Sequence, residues 1–285
     1  MKVEVREARP SDKEPLMGFI KDIWEGHDYV PYVWDDWMKD KDSKVLVVLA
    51  DGKQVGMNHV RFLEDGSAWF EGARVHPDFR GLGMASALGE KSMQIACGRG
   101  VNVFRLTSGT WNKQAHRQIA RMRFRESSRV SVYVPSERMR LGPQKGVRRG
   151  ESDDLADVVK TIRRSREFAL GSGVMWDVFA AKALTREVIA GALGEGYVYL
   201  AEGALAIAKQ GGEGRENWRQ VGFLTGKPEG TVRLVRHFFG LRGRRKVDRR
   251  LAYVPQGSRV ITALRGAGMK RDYALILFER KAANS

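Results

Sequence analysis

Residues 71–89 read EGARVHPDFRGLGMASALG, and this stretch decides how the rest of the chain is interpreted. Its start is predicted to be a strand with Trp69, Glu71, Ala73 and Val75 on one face and Phe70 and Arg74 on the other. Pro77 removes a backbone donor and ends the strand. After Gly81 and Gly83, apolar residues recur at helical spacing from Met84 onward. The stretch therefore predicts a strand, a glycine-rich turn and a helix, in that order.

The turn between this strand and helix is a candidate anion site. The first N–H groups of a helix lack partners, and the helix dipole adds partial positive charge there. Because glycine lets a bulky anion approach the backbone, a pyrophosphate is the expected ligand. No Gly-Lys-Ser/Thr follows, which excludes a P-loop, and Ser86 stands where the dinucleotide fingerprint requires a third glycine. The alternative is an ordinary glycine-containing turn.

Residues 80–85, RGLGMA, resemble the Arg/Gln-x-x-Gly-x-Gly/Ala signature of the GCN5-related N-acetyltransferase (GNAT) superfamily. The preceding V-x-P-x-x-R, from Val75 to Arg80, is in the register of that family. The resemblance implies that acetyl-CoA binds here, with its pyrophosphate on the turn and its pantetheine arm along the strand. The residues that it assigns to acetyl-CoA are Ala73, Arg74, Val75, Arg80, Gly81, Leu82, Gly83, Met84, Ala85, Ser86 and Asn112.

The composition favours a soluble protein of a reducing compartment. The 285 residues include one cysteine, Cys97, so an internal disulfide is excluded. Cys97 is expected to be a buried core thiol on the apolar stripe of the helix. No residues have metal-ligand spacing, the N-terminus has no apolar leader, and no apolar run reaches membrane-spanning length. We therefore expect no metal, no membrane contact and a cytoplasmic location.

The net charge of +16 is concentrated in the second part of the chain. Residues 1–116 hold 16 Lys and Arg against 17 Asp and Glu, whereas residues 117–285 hold 34 against 17. A basic region of this kind attracts nucleic acid, acidic proteins or the phosphates of CoA. The alternative is a solvated basic surface without a specific polyanion partner.

The predicted order of elements up to residue 135 is β-α-α-β-β-β-α-β-α-β, which is the order of the GNAT fold. The resemblance implies an α/β (α+β) class, with a mixed, mostly antiparallel sheet flanked by helices. The next family marker, Asn-x-x-Ala-x-x-Leu-Tyr-x-x-x-Gly-Phe, is matched at Asn112, Ala115 and Phe124. Ile119 stands where many members carry the Tyr that protonates the thiolate, and isoleucine cannot donate a proton.

Two domains are predicted, because residues 142–150 are rich in glycine and charge and are typical of a linker. Residues 1–141 form the predicted acetyl-CoA-binding domain and residues 151–285 a basic second domain. The second domain resembles a degenerate GNAT domain, in which Pro228 and Glu229 replace the glycine signature. We expect it not to bind CoA. The alternative is an unrelated α+β domain, and helices are predicted at 153–166 and 182–193.

Residues 26–38, GHDYVPYVWDDWM, combine aromatic residues in a way that suits the wall of a pocket. In GNAT proteins the first two helices and their connection border the acceptor site. The residues assigned to substrate binding by this argument are His27, Tyr29, Tyr32 and Trp34. The run G-x-D-Y-x-P also resembles the histidine N-acetyltransferase-like members of the family. The alternative is a hydrophobic lid over the sheet.

Glu71 is the candidate general base, because it is predicted on the same strand face as Val75, and the resemblance implies that the Val75 N–H polarises the thioester carbonyl. Burial beside Trp69 is expected to raise the pKa of Glu71 toward a useful range. The alternative is a structural carboxylate paired with an arginine, and His27 and His116 are rival bases. With Ile119 in place of the usual Tyr, Tyr29 is the candidate general acid, and Tyr32 or an unaided thiolate are alternatives.

The sequence thus predicts an N-acetyltransferase that moves an acetyl group from acetyl-CoA to a primary amine. The acceptor is a free amino acid, a small amine or a protein amine. The alternative function is a basic nucleic-acid- or ribosome-associated protein with a non-catalytic domain of this fold. Its candidate contact is a cluster of basic residues with aromatic residues before it: Phe238, Phe239, Arg242, Arg244, Arg245, Lys246, Arg249 and Arg250.

Overall fold

The computed structural model describes residues 1–26, 28–177, 179–213, 216–243 and 246–282. Within them the strands are β1 (Val3–Glu7), β2 (Ser43–Ala50), β3 (Lys53–Phe62), β4 (Ala68–Val75), β5 (Val103–Gly109), β6 (Arg125–Pro135), β7 (Arg148–Arg149), β8 (Val174–Asp177), β9 (Ala180–Ala183), β10 (Val198–Ala201), β11 (Ala204–Glu213), β12 (Glu216–Gly226), β13 (Arg249–Pro255) and β14 (Met269–Lys281). The α-helices are α1 (Lys13–Ile20), α2 (Val30–Lys39), α3 (Met84–Gly98), α4 (Lys113–Arg121), α5 (Leu155–Arg164), α6 (Arg166–Leu170), α7 (Arg186–Gly194), α8 (Pro228–Gly240) and α9 (Val260–Gly266).

Contacts between residues divide the chain into two compact units. The first contains Met1–Thr107, Asn112–Arg125 and the chain end from Phe278, and the second contains Ser108–Trp111 and Glu126–Leu277. The segment 142–150 lies in the second unit, where β7 pairs with β10. This grouping differs from the expected limits at residues 141 and 151, which remain a prediction about where two domains meet.

The first unit is built on a sheet with strand order β1-β2-β3-β4-β5. The pairs from β1 to β4 are antiparallel, and β4 pairs with β5 in parallel. Alternation along β2 separates two cores. Val45, Val47 and Leu49 pack with the residues of α1 and α2, whereas Leu46, Val48 and Ala50 pack with the residues of α3. Helices therefore cover both faces of this sheet.

A β-bulge at Gly72 corrects the predicted faces of β4. Met57 pairs with Arg74 and His59 pairs with Glu71, so Gly72 and Ala73 both lie opposite the single residue Asn58. The extra residue moves Arg74 to the face of Glu71, where α1 and α2 pack, and moves Val75 to the face of α3. The prediction that Glu71 and Val75 share a face is therefore wrong.

The second unit has the strand order β14-β6-β13-β12-β11-β10-β7 and a separate hairpin of β8 and β9. Its strands pair antiparallel from β10 to β12, and β12 pairs with β13 in parallel. The helix predicted at 182–193 is shorter than expected. Lys182 belongs to β9, and Thr185 caps the start of α7 by accepting a hydrogen bond from Val188 N. This threonine marks the boundary that helical periodicity alone could not fix.

Cys97 is exposed on α3, so the prediction of a buried thiol is wrong. The buried stripe of the helix runs through Met84, Leu88, Ser92 and Ala96. Cys97 lies in the last turn of α3, where the residues after Ala96 are exposed. Among the described residues, no helix is both long and apolar enough to cross a membrane.

Candidate functional site

The glycine-rich turn leaves space open at the start of α3. A short 3-10 helix, Pro77–Phe79, follows β4 and leads into the turn at Arg80. Gly81 and Gly83 have φ of +82° and +87°, values that side chains with a Cβ rarely adopt. A Cβ built on either glycine would meet no atom within 4 Å. The predicted order of strand, turn and helix is confirmed, and the turn opens onto free space.

The strand before the turn separates from its parallel neighbour. The ladder between β4 and β5 runs from Ala68 and Phe104 to Phe70 and Leu106 and does not extend to the later residues of β4. Ala73, Arg74 and Val75 therefore lie beyond the last pair, and Ala73 is exposed. A gap between two parallel strands presents backbone groups on one edge, and here it leads directly into the glycine-rich turn.

Side chains near the turn are held by contacts within the first unit. Arg80 Nε donates to Val75 O at 3.3 Å, and Gln118 Nε2 donates to Ser86 Oγ at 2.7 Å. Asn112 caps α4, because its Oδ1 accepts from Ala115 N at 3.1 Å. Ile119 is buried in α4. The roles of Arg80, Ser86 and Asn112 toward acetyl-CoA stay predictions.

The aromatic residues of α2 divide between the surface and the core. Tyr29 and Tyr32 are exposed, at 41% and 50%. Trp34 is 1% exposed and packs in the core between α1, α2 and the sheet, so it fills that core and does not lie on an accessible wall. His27 lies outside the described residues. Their roles toward an acceptor stay predictions.

A buried ion pair ties the start of α2 to the bulged strand. Arg74 Nε donates to Asp28 Oδ2 at 2.5 Å and its Nη2 donates to Oδ1 at 3.1 Å. Asp28 Oδ1 also accepts from Val30 N, the first N–H of α2, at 3.0 Å. The Arg74 guanidinium lies 5.5 Å from the centre of the Tyr29 ring. The bulge at Gly72 is what brings Arg74 to this face.

Glu71 is held by two basic side chains of β3. Its Oε1 lies 3.0 Å from His59 Nδ1 and 3.6 Å from Arg61 Nε, and its side chain is 12% exposed. Burial acts to raise the pKa of Glu71, but the hydrogen bond with His59 and the charge of Arg61 outweigh it and lower the pKa. The expectation of a raised pKa is therefore wrong, and Glu71 is ionised at neutral pH.

His59 and Trp37 were missed as parts of this site. The two rings stack with centroids 4.0 Å apart and planes 11° apart, and His59 is fully buried. A Cβ on Gly72 would lie 2.8 Å from Trp37 Cη2, so the bulge also makes room for this stack. The signal available in the sequence was the hairpin of β3 and β4, whose register places His59 and Arg61 near Glu71.

His76 and the rival base His116 have structural surroundings. His76 Nδ1 accepts from Asp78 N at 3.3 Å, and its ring makes edge contacts with Phe19 and Phe79. His116 lies on α4 with its ring 5.5 Å from that of Phe278. His59 is the histidine that the structure brings to the candidate base.

In the second unit, the corresponding gap between parallel strands is filled by a residue of the same unit. The ladder between β12 and β13 ends at Val221 and Ala252, as the ladder between β4 and β5 ends early. Here Trp176 fills the gap. Its carbonyl accepts from Gln220 Nε2 at 2.7 Å, its ring stacks on Tyr253 at 5.1 Å, and its backbone occupies the position that a Cβ on Gly222 would need.

The turn before α8 is packed as well. A Cβ on Gly226 would collide with Gly203 O and the Ala204 Cα, whereas the space at Gly81 and Gly83 is open. Pro228 and Glu229 open α8. These contacts agree with the prediction that the second domain does not bind CoA, which stays a prediction.

The described residues contain no group of three or more His, Cys, Asp or Glu side chains that could hold a metal ion. Of the basic cluster, Arg244 and Arg245 lie outside the described residues. Arg250 Nε donates to Phe239 O at 3.1 Å, and this carbonyl also accepts from the buried Arg219. A polyanion contact through the basic region stays a prediction.

Comparison with known proteins assigns a family to part of the chain. Residues 7–124 match the family model described as the Acetyltransferase (GNAT) family. These residues form a GNAT domain. Over 82 residues the chain is 33% identical to a histidine N-acetyltransferase of Oreochromis niloticus, and this match covers 28% of the chain and 24% of the relative. The chain therefore spans about a quarter of the length of this curated relative.

Solved structures extend the likeness to both units. A GCN5-related N-acetyltransferase from Sphaerobacter thermophilus is similar with a TM-score of 0.62 at 15% identity, covering 98% of this chain and 95% of that chain. A tandem GNAT protein from the clavulanic acid biosynthesis pathway is similar with a TM-score of 0.61 at 11% identity over the full length of both. These values show the fold, and they confirm the predicted GNAT-like class.

Proposed function

We propose that this protein is an acetyl-CoA-dependent N-acetyltransferase that acts on a primary amine. The observation that carries the proposal is the gap after Phe70 between β4 and β5, which leads into an open glycine-rich turn at the start of α3. Such a gap suits the amide groups of a pantetheine arm, and the turn suits a pyrophosphate. The GNAT family match over residues 7–124 supports the same ligand.

The residues that would hold acetyl-CoA are those of the gap and the turn. In the gap, Ala73 and Val75 offer backbone groups to the pantetheine arm, and the Val75 N–H is the candidate donor to the thioester carbonyl. In the turn, backbone N–H groups from Gly81 to Ser86 offer donors to the pyrophosphate, and Arg80 adds positive charge. Acetyl-CoA supplies an acetyl group that is already activated as a thioester.

Glu71 is the proposed proton acceptor. In the overall reaction the amine nitrogen bonds to the acetyl carbon, the carbon–sulfur bond breaks, and the sulfur ends with a proton. The amine must lose its own proton on the way, and an ionised carboxylate at the bulge can receive it directly or through one water. Tyr29 is the proposed acid toward sulfur. Tyr29 is exposed and lies on the same face as Arg74. Ile119 cannot donate a proton to the sulfur.

A small amine with its own carboxylate, such as a free amino acid, is the proposed acceptor class. The 82-residue match to a histidine N-acetyltransferase supports this choice, although it covers 24% of that relative. Tyr29 and Tyr32 are exposed and offer aromatic surface, and Tyr29 lies beside the Arg74 guanidinium that Asp28 pairs. His27 is kept in the proposal on its sequence position alone.

The direct test is transfer of a labelled acetyl group from acetyl-CoA to a panel of amino acids, small amines and peptides, followed by mass spectrometry of the products. We expect one class of acceptor to gain one acetyl group with release of one CoA. Replacing the base in Glu71→Gln should lower kcat by about 10²-fold or more while acetyl-CoA still binds.

Glu90→Gln is the matched control for this variant. It removes the same charge from an exposed position on α3 and should leave kcat within about twofold of the wild type. The proposal fails if no amine in the panel is acetylated. The assignment of Glu71 fails if Glu71→Gln and Glu90→Gln transfer acetyl groups at the same rate.

A further inference from the structure

His59 is a fully buried histidine that the proposed reaction does not yet use. It lies on β3 beneath the ring of Trp37, and its Nδ1 is 3.0 Å from Glu71 Oε1. Its other ring nitrogen, Nε2, is buried and has no hydrogen-bond partner within the part of the chain that the structure describes. Burying the polar ring of His59 with one hydrogen-bond partner costs free energy, which other interactions of the site must offset.

The exposed fractions of Glu71 and His59 show which of the two side chains lies nearer the surface. The Glu71 side chain is 12% exposed, whereas His59 is fully buried, so the carboxylate is the group that a substrate can reach. His59 lies behind it. A group in this place acts on the reaction through Glu71 and not through the substrate.

The proton on the ring is set by the partner. An ionised carboxylate can only accept a hydrogen bond, so Nδ1 must be the nitrogen that carries the proton. The stack with Trp37 and the bulge at Gly72 fix the plane of the ring, because a Cβ at Gly72 would collide with Trp37. The imidazole is thus held in one orientation by packing and in one tautomer by Glu71.

Resting on the proposed function, we propose that His59 is a positioning residue for the base: its neutral imidazole donates from Nδ1 to Glu71 and fixes the carboxylate in the orientation that receives the proton of the acceptor amine. This role resembles that of any partner that holds a reacting side chain in one rotamer. No bond to His59 forms or breaks in the reaction.

The charged groups around the pair determine how it titrates. Glu71 faces His59 and Arg61 from β3, and the Asp28–Arg74 pair lies on the same face of the sheet. Asp40, which follows α2, acts on His59. Burial lowers the pKa of His59 more than Glu71 raises it, so the ring is neutral at neutral pH. The hydrogen bond from His59 in turn lowers the pKa of Glu71.

The sign of the expected pH effect follows from these contacts. A base works only when it is deprotonated, so the acid limb of kcat/KM reports the pKa of Glu71. Removing the donor raises that pKa and moves the acid limb to higher pH.

Two variants separate the donor from the bulk of the ring. His59→Leu fills the space beneath Trp37 but cannot donate, and His59→Asn places an amide N–H near the position of Nδ1 and has no counterpart of Nε2. We expect His59→Leu to lose at least tenfold in kcat and to show the shifted acid limb. His59→Asn should rescue part of kcat and return the limb toward the wild-type pH.

Affinity for acetyl-CoA should stay within about twofold in both variants, since the ring does not face the glycine-rich turn. Two results would overturn the proposal: an acid limb that does not move in His59→Leu, or a His59→Asn variant as inactive as His59→Leu. The second result would mean that Nε2 is itself required.

Nuclear magnetic resonance of the wild type with nitrogen-15 in its histidines tests the pair without any turnover. The signal that disappears in His59→Asn should be that of a neutral ring protonated at Nδ1. A ring protonated only at Nε2 would contradict the proposal. Because this measurement needs no acceptor, failure of the proposed acetyl transfer and failure of the His59 assignment give different results.

Discussion

At the scale of single residues, Gly72 determines which side chains meet around Glu71. Its φ of +66° is in the left-handed region, and the space where a Cβ would be is taken by Trp37. An L side chain there must strain the backbone and also move the tryptophan. The bulge therefore depends on glycine for two separate reasons.

We expect Gly72→Ala to destabilise the protein by about 1–3 kcal/mol beyond the cost of the strained φ, which is the usual cost of overpacking. Gly66→Ala is the matched control, because Gly66 has a φ of +76° but nothing within 4 Å of its Cβ position. Thermal unfolding should place the melting temperature of Gly72→Ala clearly below that of Gly66→Ala. Equal melting temperatures would mean that Trp37 does not need the space.

The sequence predicts residue identities in this region better than their surroundings. The choice of Glu71 came from its place in β4, and the structure does bring it into a polar cluster with basic side chains. The sign of its pKa shift could not be predicted, because two of its neighbours, His59 and Arg61, come from another strand. Period-two alternation also fails at Gly72, since a bulge adds one residue to a single strand.

At the scale of elements, the gap between parallel strands is open in one unit and filled in the other. In the first unit the gap after Phe70 leads to an open turn, and in the second unit the gap after Val221 is filled by Trp176. Gln220 and Tyr253 hold that tryptophan through a hydrogen bond and a ring stack. These contacts stabilise the hairpin of β8 and β9, which carries Trp176.

Gly222→Ala should therefore destabilise the second unit strongly, because its Cβ would occupy the position of the Trp176 carbonyl oxygen. We expect a fall in melting temperature of about 4 °C or more. The control is Gly191→Ala inside α7, where no atom lies within 4 Å and alanine favours the helix, so stability should rise or stay the same. The account of the filled gap is contradicted if Gly222→Ala melts at the wild-type temperature.

Elements with strong local signals were predicted well, and elements defined by distant contacts were not. The strand, turn and helix around Gly81 follow from proline, glycine and helical periodicity close together in sequence. The predicted helix at 182–193 merged a strand with α7, because alanine-rich segments such as 180–183 pair in a hairpin only when β8 lies beside them.

At the scale of the whole molecule, the chain repeats a fold, and within the described residues the strand gap is open in the first unit and filled in the second. Both units have a GNAT-like fold, as the likeness to a tandem GNAT protein shows, and the family model matches the first. The proposed function assigns acetyl-CoA to the first unit alone. One molecule of acetyl-CoA per chain is the expected stoichiometry.

The excess of basic residues beyond residue 116 is evident from composition, but composition does not tell which of these side chains bind a partner. Some of these side chains are used inside the second unit, as Arg219 and Arg250 donate to the same carbonyl of Phe239. A count of charges does not distinguish such internal donors from residues that meet a partner.

Calorimetric titration with acetyl-CoA tests the central claim most directly. We predict one site per chain, and at least a tenfold loss of affinity in Gly83→Arg, whose side chain would enter the open turn. Gly100→Arg adds the same charge at another glycine with a positive φ, +78°, and open space, just beyond the other end of α3, and should keep wild-type affinity. Two sites per chain, or unchanged binding by Gly83→Arg, would contradict the account.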